Sequence, residues 1–461
     1  MIMKVSSIST YESPSAFEGD KSLTFVNIPD GVTHIGDKAF CDCTNLSSIV
    51  IPDSVTVIGK KAFSYCNSLK SISLPKKITH IGESAFYGCS SLLSIRIPET
   101  VESIEEGTFC ICYSLTNVVI PSRVKSIGEC AFECCSSLSN IVIPEGVTHI
   151  GNRAFAGCAS LSKIVLPLTL ERIDGNPFVG WNGELVSLSP QFQVKNGMLI
   201  DKKRNTLIAF CSQQKSNLPL KDEEGALDSN PTLSSIHIPN GVKEIGDSAF
   251  EECDFLSNIT IPDEVQRIGA RAFFRCSSLN SVTIPDSVTE IESDAFACCS
   301  SLSNITIPNS VTEIGSGAFW NCSSLSNITI PNGVKEIGDS AFEECNFLSN
   351  ITIPDEVQRI GARVFFRCSS LKRVTIPDSV TEIGSYAFCE CSSLSSIIIP
   401  EGVTYIGNSA FSYCDSLSKI VLPSTLERME GNPCPGWNGE LVCLSPQFQY
   451  ENDVLIDKKR F

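Results

Sequence analysis

The sequence predicts an α/β repeat solenoid, a stack of 23-residue coils with a strand-lined face, interrupted by a β-hairpin segment. Three observations predict it. Proline recurs at a fixed step of 23 residues: Pro29, Pro52, Pro75, Pro98, Pro121, Pro144 and Pro167, then a second series from Pro239 to Pro423. That makes seven coils and then nine, about four-fifths of the 461 residues. A phenylalanine column keeps the same step, from Phe40 to Phe178 and again from Phe250 to Phe411. An apolar alternation precedes each proline, as in Ile49-Val50-Ile51, and this is strand periodicity.

Each coil reads L-x-x-I-x-I-P-x-x-V-T-x-I-G-x-x-A-F-x-x-C-x-S. The I-x-I run is a short strand with two inward side chains. Proline ends it, because it cannot donate the next ladder hydrogen bond. Pro-Asn-Gly at Pro331-Asn332-Gly333 is a turn signal. The Gly after V-T-x-I allows a sharp corner, and A-F-x-x-C packs a short helical or irregular segment on the core. Stacking places every column in a ladder of about 4.8 Å per coil. The Phe column becomes a spine, and no coil buries its apolar face alone. This pattern is that of a leucine-rich-repeat solenoid.

The organisation follows from where the step holds. Residues 1–22 are an N-terminal lead-in, 23–180 a first module of seven coils, 181–230 a non-repeat hairpin segment and linker, 231–436 a second module of nine coils, and 437–461 a partial second hairpin segment. Between Gly180 and Pro231 two apolar runs, Val194–Asp201 and Asn205–Ile208, flank polar turn residues and suggest a hairpin, with Lys221–Gly225 an exposed loop. The opening Trp181-Asn182-Gly183-Glu184-Leu185 recurs as Trp437-Asn438-Gly439-Glu440-Leu441, and the second copy reads as shortened at Phe461. Inside the second module, residues 256–279 return at 348–371 with one difference, Ala272 against Val364. The offset is four whole coils, which lengthens a surface without disturbing its register.

Composition removes several functions. A formal net charge of −17 opposes affinity for polyanions, so nucleic acid and anionic membranes are set aside. No apolar run reaches the ~18 residues of a membrane span, so no membrane insertion is expected. Met1–Thr10 lack the apolar core of a secretory signal, so export rests on a segment or route the sequence does not show. No phosphate loop, H-E-x-x-H, nucleophile–base pair or dinucleotide fingerprint occurs, so no catalytic residues, no metal ligands and no cofactor are assigned.

Fourteen of the 23 cysteines share one column, from Cys43 to Cys158 and from Cys253 to Cys414. They read as a buried thiol ladder of small apolar residues. Zinc is the sharper alternative, encouraged by Cys110/Cys112 and Cys389/Cys391, but parallel ladder sulfurs do not converge as a tetrahedral site requires. His34, His80 and His149 share a column at separations of roughly 10–14 Å, too far for one metal or one dyad. The acidic residues after proline, such as Asp263 and Asp286, suit a solvated turn better than calcium.

The outward strand positions of the second module carry the binding expectation: Asn258, Thr260, Asn304, Thr306, Asn327, Thr329, Asn350 and Thr352. They form a flat Asn/Thr sheet over nine coils, either a docking face for a protein or glycan or a solubilising surface of stacked Asn ladders. The four Asn also lie in N-x-T sequons, which crowding between adjacent strands disfavours as glycan sites.

The recurring I-P-x-x-V-x-x-I-G-x-x-A-F-x-x-C, with the G-N-P-F and D-K-K segments, resembles the BspA-like (Treponema pallidum type) leucine-rich repeats. The resemblance implies a surface or secreted adhesin of a bacterium or parasitic protist that docks a host extracellular-matrix or cell-surface protein, or another cell. It carries no fixed catalytic or ligand residues. An intracellular protein-interaction scaffold is the alternative, favoured by unpaired thiols and the missing signal.

Overall fold

The computed structural model describes residues 11–211, 235–451 and 454–458. The N-terminal ten residues, the loop at 221–225 and the last three residues, on which some of the expectations above fall, lie outside them. The chain divides into two compact units, Met1–Leu227 and Asp228–Phe461, each a stack of the same coil.

Every coil has three sides. The first is the x-I-x strand, paired in parallel with its neighbour at a step of 23: Asn258 opposite Ser281, Ser281 opposite Asn304. The second is a two-residue strand at the V-T-x-I position, as in Glu313–Ile314 against Glu336–Ile337. In both, the middle or last apolar residue points inward and its neighbours face water.

The third side corrects the α/β expectation. No helix forms at the G-x-x-A-F-x-x-C segment of any described coil; the elements of the coils are all strands, and this segment is a chain of turns. Its N–H groups alternate. Those of Lys38, Phe40 and Asp42 donate to Lys60, Ala62 and Ser64 of the next coil at 2.7–2.8 Å, while Ala39, Cys41 and Cys43 donate back three residues within their own coil. An α-helix would keep all of these bonds in its own segment. It would also be ~10–12 Å across, twice the spacing that the strands impose on the stack. The backbone reaches the alternation by placing two residues per coil in the left-handed region, Lys38 at φ 56° and Asp42 at φ 58° in the first full coil.

The interior repeats as columns. Successive Phe rings stack with centroids 5.4 Å apart from Phe40 to Phe63 and 5.5 Å from Phe319 to Phe342, nearly parallel and wholly buried. Burying each ring contributes on the order of 1.5–3 kcal/mol. The cysteine column lies beside it. Cys66 donates its S–H to the Phe40 carbonyl at 3.2 Å, and Cys322 to Phe296 at 3.1 Å, each a second donor to a carbonyl that already accepts an N–H from its own coil.

The stack begins earlier than the proline series. Phe17 stacks on Phe40 at 5.1 Å, and Ser15, Phe17 and Gly19 donate to Asp37, Ala39 and Cys41, so part of the lead-in supplies the third side of one more coil. It also runs later. In unit 1 Glu184–Ser187 adds a parallel strand to Lys163–Leu166, although the 23-residue step has already failed. The indole of Trp181 closes the Phe column, 5.4 Å from Phe178, and donates to Leu161 at 2.6 Å. The expected hairpin interruption therefore takes another form. Phe192–Lys195, Met198–Asp201 and Thr206–Phe210 pair antiparallel after that last parallel strand and finish the stack of unit 1. Unit 2 repeats the arrangement with Glu440–Cys443 on Lys419–Leu422 and the antiparallel pair Phe448–Glu451 and Val454–Asp457.

Candidate binding surface

The outward positions of the first side are set by strand alternation, because burying the central Ile commits its two neighbours to solvent. Asn258, Thr260, Asn304, Thr306, Asn327, Thr329, Asn350 and Thr352 are all exposed. Parallel pairing aligns them in two columns, Asn or Ser beside Thr, as in Asn258, Ser281 and Asn304 beside Thr260, Thr283 and Thr306.

Two features differ from a flat nine-coil sheet. First, the ladder is segmented: strands run from Ser235–His237 to Asn304–Thr306 and resume at Asn350–Thr352. Asn327–Thr329 keeps the same exposure without strand pairing, and Ser396 makes only a single bridge to Arg373. Second, the amides do not stack on one another. Asn258, Asn304, Asn327 and Asn350 each donate to the preceding serine hydroxyl, at 3.4, 3.3, 3.4 and 3.1 Å. The amide oxygen of Asn258 in turn accepts the Ser281 hydroxyl of the next coil at 3.4 Å. Beside it stands a Thr hydroxyl, both donor and acceptor. From Asn258 to Thr352 the surface is a lattice of uncharged hydrogen-bonding groups, and Arg373 is the next residue of the Asn column.

The second column carries exposed hydrocarbon in both units: in unit 1 at Val50 and from Val119 onward, and in unit 2 where Thr375 gives way to Ile398. Val142 is 69% exposed and Ile398 81%, and the next coils continue with Val165 and Val421. A Lys–Glu pair lies alongside in both units, Lys163 to Glu184 and Lys419 to Glu440, each at 3.0 Å. The expected site residues omit this aliphatic stretch. In unit 2 its signal was legible in the column, as Thr375 giving way to Ile398 and Val421 at one register position.

The titratable groups are dispersed. All 23 cysteines are free, and burial pushes the thiols of Cys158, Cys345 and Cys414 up to about 12. No three His, Cys, Asp or Glu among the described residues are placed to hold a metal ion. His149 Nε2 lies 3.0 Å from Asp174 and His34 Nδ1 3.6 Å from Glu12, so these two histidines meet separate surface carboxylates. A shallow open cleft of about 330 Å³ is lined by Glu382, Thr404, Tyr405, Glu427 and Arg428. The Tyr405 hydroxyl is already committed to Glu430 at 2.6 Å. No described helix is long and apolar enough to cross a membrane.

The profile of the BspA type leucine rich repeat region matches residues 10–132, 82–196, 223–348 and 336–434. Among solved structures, a leucine rich cell surface protein from Faecalibacterium prausnitzii A2-165 is 30% identical over 76% of this chain and 87% of its own, with a TM-score of 0.55. A leucine-rich repeat protein of Bacteroides ovatus is 27% identical over 90% of this chain and 82% of its own, with a TM-score of 0.41. The leucine rich repeat protein of T. pallidum is 36% identical over 32% of this chain and 69% of its own, with a TM-score of 0.31. No curated protein matches the chain.

Proposed function

Because this chain belongs to the BspA-type leucine-rich repeat family, we propose that it is a non-enzymatic binding protein, displayed on the cell surface or secreted, that docks a host or matrix protein, or another cell, on the strand face of its solenoid. The observation that carries the reading is the aligned, exposed Asn/Thr lattice of unit 2, on which Asn258, Thr260, Asn304, Thr306, Asn327, Thr329, Asn350 and Thr352 present uncharged hydrogen-bonding groups before Arg373 brings a charge into the Asn column. The cell-surface naming of the F. prausnitzii relative supports the location. The 14-membered thiol column does not oppose it, since buried thiols with raised pKa are poor nucleophiles in any compartment. The modules at 23–180 and 231–436 act as two tandem binding arrays.

Two measurements test this. Protease added to intact source cells should remove the chain while a cytosolic protein survives; full protection sinks the surface location. Replacing Asn304, Thr306, Asn327 and Thr329 together with Lys should abolish capture of matrix proteins or host cells while circular dichroism and Tm stay unchanged. Undiminished capture by that variant removes the strand face as the site.

A further inference from the structure

On the turn side, the second residue after the core Phe position lies in the left-handed backbone region in coil after coil, from Asp42 to Gly180 and from Glu252 to Gly436. These residues form a column. Tyrosine enters it once in each unit, at Tyr65 and Tyr413, and the two share their neighbours. One coil before stands a carboxylate, Asp42 or Glu390, and one coil after a glycine, Gly88 or Gly436. The backbone matches too, with φ of 58°, 59° and 70° along the first triplet and 61°, 54° and 75° along the second.

The glycine makes room for the ring. A Cβ on Gly88 would lie 2.7 Å from Tyr65 Cδ1, and one on Gly436 2.7 Å from Tyr413 Cε1, so each tyrosine reclines along the stack over the next coil. Tyr87 stands edge-on to Tyr65 at 5.2 Å and 74°, which holds that ring in place. Both rings nonetheless stay open to water, Tyr65 at 42% and Tyr413 at 54%. A reclining aromatic ring is a flat apolar plate that offers a seat to a flat C–H surface. The carboxylates add acceptor oxygens one coil step, about 5 Å, away. Asp42 is exposed, with the Cys41 thiol 3.8 Å from its Oδ2, and Glu390 meets Arg367 at 3.0 Å.

We infer that Tyr65 and Tyr413 are glycan-binding platforms, each seating the C–H face of a neutral pyranose on its ring while the carboxylate of the preceding coil accepts hydroxyl hydrogens. A pyranose carries both surfaces at once, an apolar C–H face and a rim of hydroxyl donors. A cation would suit the plate and Asp42 but not Glu390, whose charge Arg367 already neutralises. What the two sites share is acceptor oxygen, not free negative charge. An apolar peptide would strip water from the carboxylates without replacing its hydrogen bonds. The net charge of −17 disfavours sulfated and uronic sugars. The platforms lie on the turn side and do not rest on the strand-face reading.

The test is saturation-transfer NMR on the full chain with the methyl pyranosides of glucose, galactose, mannose and N-acetylglucosamine. Sorbitol, a polyol without a ring face, and Nα-acetyl-lysine amide, a cation, are the controls. At least one pyranoside should receive saturation well above both. Tyr65→Ala and Tyr413→Ala should each lower that signal by roughly half and together remove it, since distant sites act independently. Circular dichroism and Tm should stay unchanged, and the double Tyr→Phe variant, which keeps both plates, should keep the signal. In the Tyr413→Ala background, where only the first platform remains, Asp42→Ala should weaken binding roughly tenfold. Tyr113→Ala, which removes an exposed tyrosine outside the column, should change nothing. No pyranoside signal above the controls, a signal that survives the double alanine variant or is lost in the double Phe variant, or one that Tyr113→Ala lowers equally overturns the proposal.

Discussion

Ile111 sits at φ 62°, a conformation that a β-branched residue rarely adopts, while the same register position holds Gly88 and Gly157 in other coils of its unit. It persists because its N–H donates to the Glu133 carbonyl of the next coil at 2.8 Å. The bond needs the left-handed backbone but not the side chain. Ile111→Gly should therefore raise stability by about 1 kcal/mol, the strain relieved less the entropy glycine adds to the unfolded chain; a lower Tm would show that the Ile contacts outweigh the strain. The thiols make a second residue-scale prediction. Burial raises the pKa of Cys345 from its ordinary 9.0 to about 12, so the folded chain keeps a proton that the unfolded chain releases. Stability is then fully present below pH 9 and falls as pH rises from 9 toward 12. Melting scans should show a Tm that is steady from pH 7 to 8.5 and drops beyond, with thiol-reactive probes labelling the column only as it melts. A Tm independent of pH up to 11 would contradict the buried, protonated ladder.

At the scale of the element, the Phe column does what no single strand does, since the strands are only two to four residues long through most of the stack. Phe319, fully buried, has rings at 5.6 Å and 5.5 Å on either side. Phe319→Ala should cost about 3–5 kcal/mol, and should lower the Tm far more than Asn327→Ala one coil-side away; equal effects would mean the column is not the spine. The strands and the Phe spine were legible because period-2 alternation and a fixed 23-residue step state which side chains turn inward. The turn side was not. A-F-x-x-C looks helical by composition, and only the spacing between coils, which a helix cannot match, decides against it. The segmentation at Asn327–Thr329 was hidden too, since that coil carries the same N-I-T as its paired neighbours.

At the scale of the whole molecule, the two units end alike, with Trp181 and Trp437 each donating to a leucine carbonyl at 2.6 Å and one last parallel strand before the antiparallel pair. An isolated stack presents open hydrogen-bonding groups and apolar surface at its ends, and this closure covers them. The second closure lacks one aromatic: Cys434 stands where unit 1 has Phe178, so the column of unit 2 ends at Phe411.

The step from each coil's N–H groups to the carbonyls of the next gives the chain a mechanical character. A folded coil occupies about 5 Å of the axis but stores 23 residues, about 80 Å of contour when drawn straight. Because each coil is held by its neighbours alone, a pull on one end loads only the outermost seam, which lets go before the next one feels the force. Stretched between two surfaces, the protein should pay out slack in equal instalments, a shock absorber with one notch per coil. Single-molecule pulling should record that series as evenly spaced steps, and one all-at-once rupture would mean the coils share their load.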